Sequence, residues 1–216
     1  MLEITTLQFN PFGVNTYLVY DTETRDTAVV DPGMFNTKEQ RFFDTYVAEH
    51  NLKITQIINT HLHLDHCFGD NYVKSRYGVP VKANSEDAFL GAKLAEQSRR
   101  FGMLVPGTEK GVEIDVDLKE GETVKVGRHE LKVLQVPGHS PGSIALYSPE
   151  YHFLIGGDVL FKGSIGRTDL EQGNMSTLIN SIRNKILTLP EETQVLPGHD
   201  AITTVADEKR YNPYFN

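Results

Sequence analysis

The chain of 216 residues contains a single cysteine, Cys67, so an internal disulfide bond is excluded. No apolar run approaches the length that is needed to span a bilayer, which argues against a helical membrane protein. The first residues, Met1-Leu2-Glu3-Ile4, lack the basic and apolar regions of a secretory signal. These absences together predict a cytoplasmic protein with no membrane partner.

Positive charge is also scarce in this sequence. The chain carries 21 Lys and Arg against 29 Asp and Glu, which gives a formal net charge of −8. Such a charge disfavours non-specific binding to nucleic acid, so no nucleic-acid partner is expected. An anionic substrate would have to be met by a local cluster of Lys or Arg side chains.

The chain has no linker rich in Gly, Ser or Pro and no low-complexity tract, which predicts one domain over residues 1–216. Short β-rich runs alternate with amphipathic segments. The predicted strands are residues 4–7, 16–19, 28–30, 54–59, 79–82, 123–126, 131–136, 144–147, 153–155 and 194–196. The predicted helices are residues 37–50, 85–101 and 176–187, the last two with Ser85 and Ser176 as N-caps.

The most informative motif is the hexapeptide His61-Leu62-His63-Leu64-Asp65-His66, which places four metal-competent side chains within six residues. Imidazole and carboxylate together suit zinc, iron or manganese. A helix would scatter these side chains, whereas an extended segment leaving a strand would place His61, His63 and Asp65 on one side and free His66 to turn towards it. Since one ion seldom takes four ligands so close in sequence, the spacing favours two neighbouring ions. The first two histidines would bind one ion and the Asp-His pair the other.

A short strand followed by glycine and then His or Asp occurs three more times. The segments are Val136-Pro137-Gly138-His139, Ile155-Gly156-Gly157-Asp158 and Leu196-Pro197-Gly198-His199. Open α/β proteins hold their chemistry just beyond strand ends, and glycine permits a sharp turn there. Ordinary turn chemistry explains the Pro-Gly pairs but not the His or Asp that follows each time. The repetition therefore predicts one site assembled from four strand ends.

The order and spacing of these residues resemble those of the metallo-β-lactamase fold, starting at Val29-Val30-Asp31-Pro32-Gly33 and spanning almost the whole chain. Within that superfamily the chain is most similar to the compact, single-domain glyoxalase II enzymes, the hydroxyacylglutathione hydrolases. Residues 60–66, 138–143 and 157–161 carry the similarity. The resemblance implies an α/β (α+β) fold, a four-layer αββα sandwich with two metals at one edge between two sheets.

The same resemblance implies a role for each residue of the site. The ligands of the first metal would be His61, His63 and His139. The ligands of the second metal would be Asp65, His66 and His199. Asp158 would bridge two divalent ions, with zinc as the expected metal and iron or manganese as alternatives. Asp31 would orient loops or ligands from outside the coordination sphere, unless it only forms the turn before Pro-Gly.

Two cations that share a carboxylate lie roughly 3.5–4 Å apart and can hold a hydroxide between them. Because a bound metal can lower the pKa of water to about 7, this nucleophile exists at neutral pH without a separate base. A thiolate can then leave without a dedicated acid. The predicted function is a metal-dependent hydrolase of small acyl-thioesters such as hydroxyacylglutathione, acting through a metal-bound hydroxide, with Asp65 and Asp158 as catalytic residues.

The sequence departs from the larger glyoxalase II enzymes after the predicted bridging residue. Those enzymes carry Lys-Phe-Tyr where this chain has Arg167-Thr168-Asp169, and they have a C-terminal helical domain that supplies basic residues to glutathione. Here only a short tail follows His199. Thioester hydrolysis is therefore better supported than glutathione as the particular thiol.

Persulfide dioxygenases provide the alternative function, because they share this fold and a segment like Gly166-Arg167-Thr168-Asp169. They bind one iron through two histidines and a carboxylate, which here would be His61, His139 and Asp158. A non-catalytic binding scaffold is disfavoured by the complete set of ligand-type residues. Oxygen uptake with glutathione persulfide, against thiol release from an acyl-thioester, separates the two enzymes.

Two further predictions concern the surroundings of the metals. Arg167 is predicted to bind an anionic part of the substrate, since its guanidinium can hold a carboxylate with two parallel hydrogen bonds. The alternative is a pair with the nearby Asp169 that only shapes the loop. The segment from Ser85 to Gly111, a predicted helix followed by an apolar stretch between glycines over residues 102–107, is predicted to form a wall or lid over the substrate. The alternative is a surface connection with its apolar side chains packed beneath.

Overall fold

The computed structural model describes residues 1–103, 105 and 107–216. Six strands form the first sheet, in spatial order Leu2–Phe9 (β1), Val14–Asp21 (β2), Asp26–Val30 (β3), Lys53–Ile58 (β4), Val81–Ala83 (β5) and Val116–Asp117 (β6). Eight more strands follow along the chain: Thr123–Val126 (β7), His129–Gln135 (β8), Ile144–Ser148 (β9), Phe153–Gly157 (β10), Leu160–Phe161 (β11), Ser164–Ile165 (β12), Gln194–Pro197 (β13) and Thr203–Thr204 (β14). The second sheet has the order β14-β13-β10-β9-β8-β7, while β11 and β12 form a separate hairpin.

Seven α-helices accompany the strands within the described residues. They are Thr37–Glu49 (α1), Leu64–Cys67 (α2), Asp70–Tyr77 (α3), Ala88–Ala92 (α4), Leu94–Arg100 (α5), Met175–Ser181 (α6) and Val205–Tyr211 (α7). Short 3₁₀ turns cover Ser85–Asp87 and Thr108–Lys110, and a π-helical turn, Ile182–Ile186, extends α6. No helix in the described ranges combines the length and apolar character needed to cross a bilayer.

Three apolar cores separate four layers of secondary structure. Because successive strand side chains point to opposite faces, β2 contributes Tyr17 and Val19 to the core between the sheets and Leu18 to the core under the helices. Both of its faces are covered, and all eight of its residues are buried. The second sheet packs its outer face, including Leu154, against Leu178 of α6. The predicted four-layer αββα sandwich is thereby confirmed.

All ten predicted strands are present, although their ends shift. The strands that the sequence did not reveal are β6, β11, β12 and β14, which are too short to show a hydrophobic period. The helices α2, α3 and α7 were not predicted either. Their residues are mostly polar or include metal-ligand types, so they lack the apolar stripe on which such a prediction depends.

The predicted helix over residues 85–101 is wrong as a continuous element. Val112 N donates a hydrogen bond to Gly91 O at 3.0 Å, which takes the carbonyl that a continuing helix would use. The segment is therefore divided into a 3₁₀ turn, α4 and α5. Its cap is Asn84, whose side chain accepts from Glu86 N, and not Ser85. Asn174 likewise replaces Ser176 as the cap of α6.

Candidate metal centre

Five strand ends meet at one edge of the sandwich. Asp31 follows β3, the hexapeptide follows β4, and His139 follows β8. Asp158 follows β10 and His199 follows β13. The pairs β3–β4 and β10–β13 are parallel, so their carboxyl ends lie side by side. The structure thus brings together all seven residues that the sequence assigned to the metals.

The hexapeptide is extended only in its first half. His63 has extended backbone angles and occupies the N-cap position of the one-turn helix α2, so Asp65 and His66 are helical. The prediction of an extended segment is therefore wrong for Leu64 and Asp65, which are helical. The helical turn brings His66 Nε2 to 3.7 Å from Asp65 Oδ2, which an alternating strand would not do for adjacent residues. Leu62 and Leu64 are buried and anchor the motif in the core.

Three imidazoles, His61, His63 and His139, form what we term the first group. The Nε2 atoms of His61 and His139 are 3.2 Å apart, and His63 Nδ1 is 2.8 Å from His139 Nε2. His139 Nδ1 lies 2.7 Å from the carbonyl oxygen of Arg167, which can only accept a hydrogen bond. The Nδ1 atom therefore carries the proton, and Nε2 presents its lone pair to the group.

Asp65, His66 and His199 form the second group. His199 Nε2 lies 3.3 Å from Asp65 Oδ2. The outward-facing nitrogens of both histidines have acceptors: His66 Nδ1 lies 3.0 Å from Asp31 Oδ2, and His199 Nδ1 lies 3.0 Å from the carbonyl oxygen of Phe12. These contacts leave Nε2 of each ring to face the group.

Asp158 lies between the two groups and faces both. Its Oδ2 is 3.7 Å from His139 Nε2 and 3.5 Å from His199 Nε2, while its Oδ1 is 3.4 Å from His66 Nε2. Glycine makes this approach possible: a Cβ at Gly198 would overlap Asp158 Oδ1. Gly157 has a φ of +53°, and a Cβ there would overlap Thr60 Oγ1. The glycines before the ligands therefore serve both turning and close packing.

The two groups differ in their electrostatics when no metal is bound. Burial lowers the pKa of His61 well below its usual range and that of His63 to about 3, reinforced by the neighbouring imidazoles. In the second group burial opposes a positive charge, but nearby carboxylates outweigh it. They raise the pKa of His66 well above its usual range and that of His199 to about 10. Burial likewise raises the pKa of Asp158, but His66 and His199 outweigh it and hold that pKa well below its usual range.

The residues of both groups fit divalent metal ions. Within the described part of the chain, His66 Nε2 and Asp158 Oδ1 are buried without a hydrogen-bond partner, which costs free energy unless a ligand satisfies them. Each group gathers three ligand atoms within 4.8 Å of one another. Imidazole nitrogens with carboxylate oxygens form a donor set that zinc, iron and manganese accept.

Asp31 contacts the site as well as turning the chain. Its φ of +50° places it in the left-handed region, which few residues other than glycine adopt. Its carboxylate accepts from Thr60 N at 2.7 Å and from Thr60 Oγ1 at 2.6 Å, besides facing His66 Nδ1. Asp31, His61 and His66 also lie close enough to hold an ion. However, these bonds already engage both Asp31 oxygens, so we interpret it as a residue that orients His66.

Asp87 is a functional candidate that sequence reasoning missed. It is fully buried, and its carboxylate accepts from Leu62 N at 3.1 Å, Ser140 Oγ at 2.7 Å and Gly142 N at 2.7 Å. Leu62 lies between two ligands of the first group, and Ser140 follows the third. Asp87 thus joins the two loops that carry this group. No local signal could have identified it, because its partners are distant in sequence.

A cleft of about 460 Å³ opens above both groups. Besides site residues, it is lined by Phe12, Leu64, Leu90, Gln97, Arg100, Phe101, Arg167, Leu170 and Glu171. Arg167 forms the bidentate pair that was the alternative prediction, with Nε at 2.7 Å and Nη2 at 2.8 Å from the two carboxylate oxygens of Asp169. It also lines the cleft, so its predicted contact with substrate stays a prediction.

Within the segment 85–111, the helical part lines the cleft and the stretch after it packs into the core. Leu90 of α4 and Gln97 of α5 line the cleft, whereas Val105 is buried in the first core and Met103 packs against it. This packing of Met103 and Val105 is the alternative that was considered for residues 102–107. Leu104 and Pro106 of that stretch lie outside the described residues.

Comparison with known proteins gives the family. The sequence profile of the metallo-beta-lactamase superfamily matches residues 9–199. The protein belongs to the metallo-β-lactamase superfamily. The chain is 35% identical over 216 residues to the hydroxyacylglutathione hydrolase GloC of Haemophilus influenzae, covering 100% of this chain and 99% of that protein. It is 27% identical over 208 residues to the human mitochondrial persulfide dioxygenase ETHE1, covering 92% of this chain and 70% of that protein.

Solved structures are similar over the whole chain. The crystal structure of the BLEG-1 B3 metallo-beta-lactamase superposes with a TM-score of 0.89 at 31% identity, covering 99% of this chain and 100% of the other. The structure of TTHA1623 in a di-iron-bound form gives a TM-score of 0.85 at 31% identity, with 97% and 99% covered. The superfamily and its fold are therefore established for this chain, which carries the histidine and aspartate groups that can hold metal.

Proposed function

We propose that the protein is a binuclear metallohydrolase that cleaves acyl-thioesters. The observation that carries this proposal is the position of Asp158. Its Oδ2 lies 3.7 Å from an imidazole of the first group and 3.5 Å from one of the second, and its Oδ1 lies 3.4 Å from the other imidazole of the second group. A carboxylate shared between two ligand sets favours two ions over one. The similarity to a hydroxyacylglutathione hydrolase supports the substrate class, and the similarity to a di-iron-bound structure supports two metals.

The first group would hold one ion and the second group the other, with Asp158 between them. When bound, such ions polarise a carbonyl and supply a water molecule of lowered pKa near neutrality. The chain itself fixes the ligand geometry, since Asp31 and the Arg167 carbonyl each hold one imidazole by its outer nitrogen. Asp65 and Asp158 line the cleft, where their oxygens can orient a water molecule by accepting its hydrogen bonds.

Cys67 does not offer a competing nucleophile. It is buried, and its Sγ faces the backbone carbonyl of His61 at 3.9 Å. Burial raises the pKa of this thiol well above its usual range, which disfavours a reactive thiolate. This supports activated water, and not a covalent enzyme intermediate, as the attacking group.

The metal and the reaction can be tested together. Protein purified without added metal is analysed for bound metal and then assayed for thiol release from hydroxyacylglutathione and from the same acyl group on N-acetylcysteamine. We expect two metal ions per active chain and thiol release that Asp158→Ala abolishes. Asp207→Ala, on the exposed side of α7, serves as the control variant. One metal per fully active chain, or no thiol release from either substrate, would contradict the proposal.

A mononuclear persulfide dioxygenase is the second candidate. It is favoured by the segment Gly166-Arg167-Thr168-Asp169 and by the similarity to the human persulfide dioxygenase. The same preparation loaded with iron should then consume oxygen when glutathione persulfide is added. Oxygen uptake without thioester cleavage would select this function.

Arg167 remains the predicted contact for an anionic part of the substrate. Its pair with Asp169 is exposed, so a substrate carboxylate can compete for the guanidinium. Arg167→Met removes the charge but keeps much of the stem. We expect kcat/KM to fall roughly tenfold for carboxylate-bearing thioesters, as for the loss of one charge-assisted hydrogen bond, and much less for neutral ones. Equal losses for both classes would leave only a loop-shaping role.

A further inference from the structure

Two exposed phenylalanines meet at the mouth of the cleft. Phe12 lies in the turn between β1 and β2, and Phe101 follows the last residue of α5. Their ring centroids are 5.5 Å apart and the rings are nearly perpendicular, at 80°. Their exposed fractions are 37% and 45%, and both residues line the cleft above the metal groups. Removing such rings from water by contact with an apolar ligand is favourable.

The turn that carries Phe12 is attached to the second group. Phe12 O accepts from His199 Nδ1 at 3.0 Å, and Phe12 N donates to Asn10 Oδ1 at 2.9 Å. Asn10 Nδ2 in turn donates to Asp65 O at 3.0 Å. Two of the three residues of the second group therefore hold the backbone of the turn that carries this ring.

The helix end that carries Phe101 is attached to the hexapeptide. Gln97, one turn earlier in α5, accepts from Leu64 N at 3.1 Å and donates to Leu90 O at 2.9 Å. Phe101 N donates to Gln97 O at 3.3 Å. Both rings are thus held by segments that also hold the ligands. A pre-positioned apolar surface costs little ordering entropy when a ligand binds.

The charges around the mouth do not offer a comparable binding surface. Arg100 pairs with Glu96 at 2.6 Å, and Lys93 pairs with Glu171 at 2.7 Å. Arg167 is paired with Asp169, as described above. An anionic group must displace a carboxylate at each of these positions, whereas an apolar group meets no such competitor at the two rings. Arg167 also lies beside the first group, because its carbonyl accepts from His139, so the two kinds of contact lie near different groups.

We propose that Phe12 and Phe101 form an aromatic subsite beside the second group that binds an apolar group, aromatic or branched aliphatic, of the substrate thioester. This inference rests on the proposed thioester hydrolysis and adds a preference for amphipathic substrates over small hydroxyacyl ones. The apolar group can belong to the acyl half or to the thiol half. The chemistry of recognition is the same in both cases, and the experiment distinguishes them.

The test uses two substrate series on the metal-loaded protein. In one, phenylacetyl and hydroxyacetyl groups are compared on N-acetylcysteamine. In the other, acetyl thioesters of benzyl mercaptan and 2-mercaptoethanol are compared. For each substrate, kcat/KM of the variant is divided by the wild-type value, so that differences in the intrinsic reactivity of the substrates cancel. In the Phe12→Ala/Phe101→Ala variant, kcat/KM for the apolar member of at least one series should fall roughly two- to tenfold more than for its polar partner, mainly through KM.

Two control variants separate recognition from a loss of structure. Phe42→Ala removes a ring that is 55% exposed and forms an edge-to-face pair with Phe9, away from the cleft. It should leave the selectivity between apolar and polar substrates unchanged. Phe12→Leu/Phe101→Leu keeps apolar surface and should restore much of the selectivity. Equal losses for apolar and polar substrates in both series would overturn the aromatic subsite.

A binding measurement makes the outcome independent of catalysis. Phenylacetate and glycolate are titrated calorimetrically into wild type and into the double alanine variant, both with metal bound. If wild type binds phenylacetate more tightly than glycolate and the double variant does not, the subsite is supported. This holds even if no thioester is cleaved, and then only the proposed reaction fails. Unchanged affinity for phenylacetate in the double variant, with thioesters cleaved normally, overturns the subsite alone.

Discussion

The first and second groups lie side by side at one sheet edge but differ in charge. The first group has three imidazoles, and the pKa of His61 and His63 is lowered, so both are neutral near pH 7. The second group includes a carboxylate, and the pKa of His66 and His199 is raised. A metal that reaches the first group therefore meets two imidazoles, His61 and His63, that carry no positive charge. A metal that reaches the second group must displace the protons that His66 and His199 hold.

The residues that position the two groups are nevertheless of the same kinds. Each group is oriented by one buried carboxylate, Asp87 for the first and Asp31 for the second. Each also has a backbone carbonyl that fixes one imidazole, from Arg167 and from Phe12 respectively. Similar positioning with unequal charge makes the two groups separable by mutation, and Asp158 is the residue that should couple them.

The largest effect is expected from Asp158→Ala, because it removes the one carboxylate that faces both groups. Both metals should bind more weakly, by more than the roughly 10–100-fold that loss of an outer-sphere partner costs. Metal content after dialysis against a buffered metal solution measures this, with Asp207→Ala as the control. If Asp158→Ala retained one metal at wild-type affinity, Asp158 would not be shared.

Single imidazole substitutions should empty one group at a time. His63→Ala should lower the metal content from two ions to one by weakening the first group, and His199→Ala should do the same for the second. Cobalt substitution followed by visible spectroscopy distinguishes the ligand set that remains in each variant. Identical residual spectra, or loss of both ions in each variant, would show that the groups do not act separately.

Removing the supporting carboxylates should have a smaller but equally selective effect. Asp87→Ala leaves two buried backbone donors, Leu62 N and Gly142 N, unsatisfied. It should weaken the first group roughly 10–100-fold, with a loss of stability of about 1–3 kcal/mol. Asp31→Ala should instead weaken the second group. Competition with a metal chelator measures both affinities, and thermal unfolding of the metal-free variants measures stability. Equal weakening of both groups by Asp87→Ala would make its role merely structural.

The smallest effect is a difference in proton release. At pH 7 the metal-free protein should carry a proton on His199, whose pKa is about 10, but not on His63, whose pKa is about 3. Metal binding to the second group should therefore release more protons, and its affinity should fall as the pH decreases from 10. Calorimetric titration in buffers of different ionisation enthalpy measures the protons released by each equivalent. If the two equivalents of metal released equal numbers of protons, the proposed charge difference between the groups would be contradicted.

The sequence predicted most of the fold because two signals, residue composition and turn residues, indicate its strands. The β-branched and aromatic residues of β2, β9 and β10 indicate extended structure, and a glycine or proline stands at one end of each strand. The same punctuation identified the strand ends that carry His139, Asp158 and His199. The helices were less predictable, since α5 is separated from α4 by a hydrogen bond between Gly91 and Val112, which are distant in sequence.

The sequence by itself determined which side chains can bind metal, since ligand chemistry belongs to residue type and the spacing 61–66 fits two ions. Only the tertiary structure decided which atoms face each other and what holds them. The nitrogen that His139 presents depends on the Arg167 carbonyl, and the loops of the first group depend on Asp87. The Phe12–Phe101 pair joins a strand turn to a helix end. Such contacts form only when sheets and helices pack, because no local pattern encodes the distance between segments so far apart along the chain.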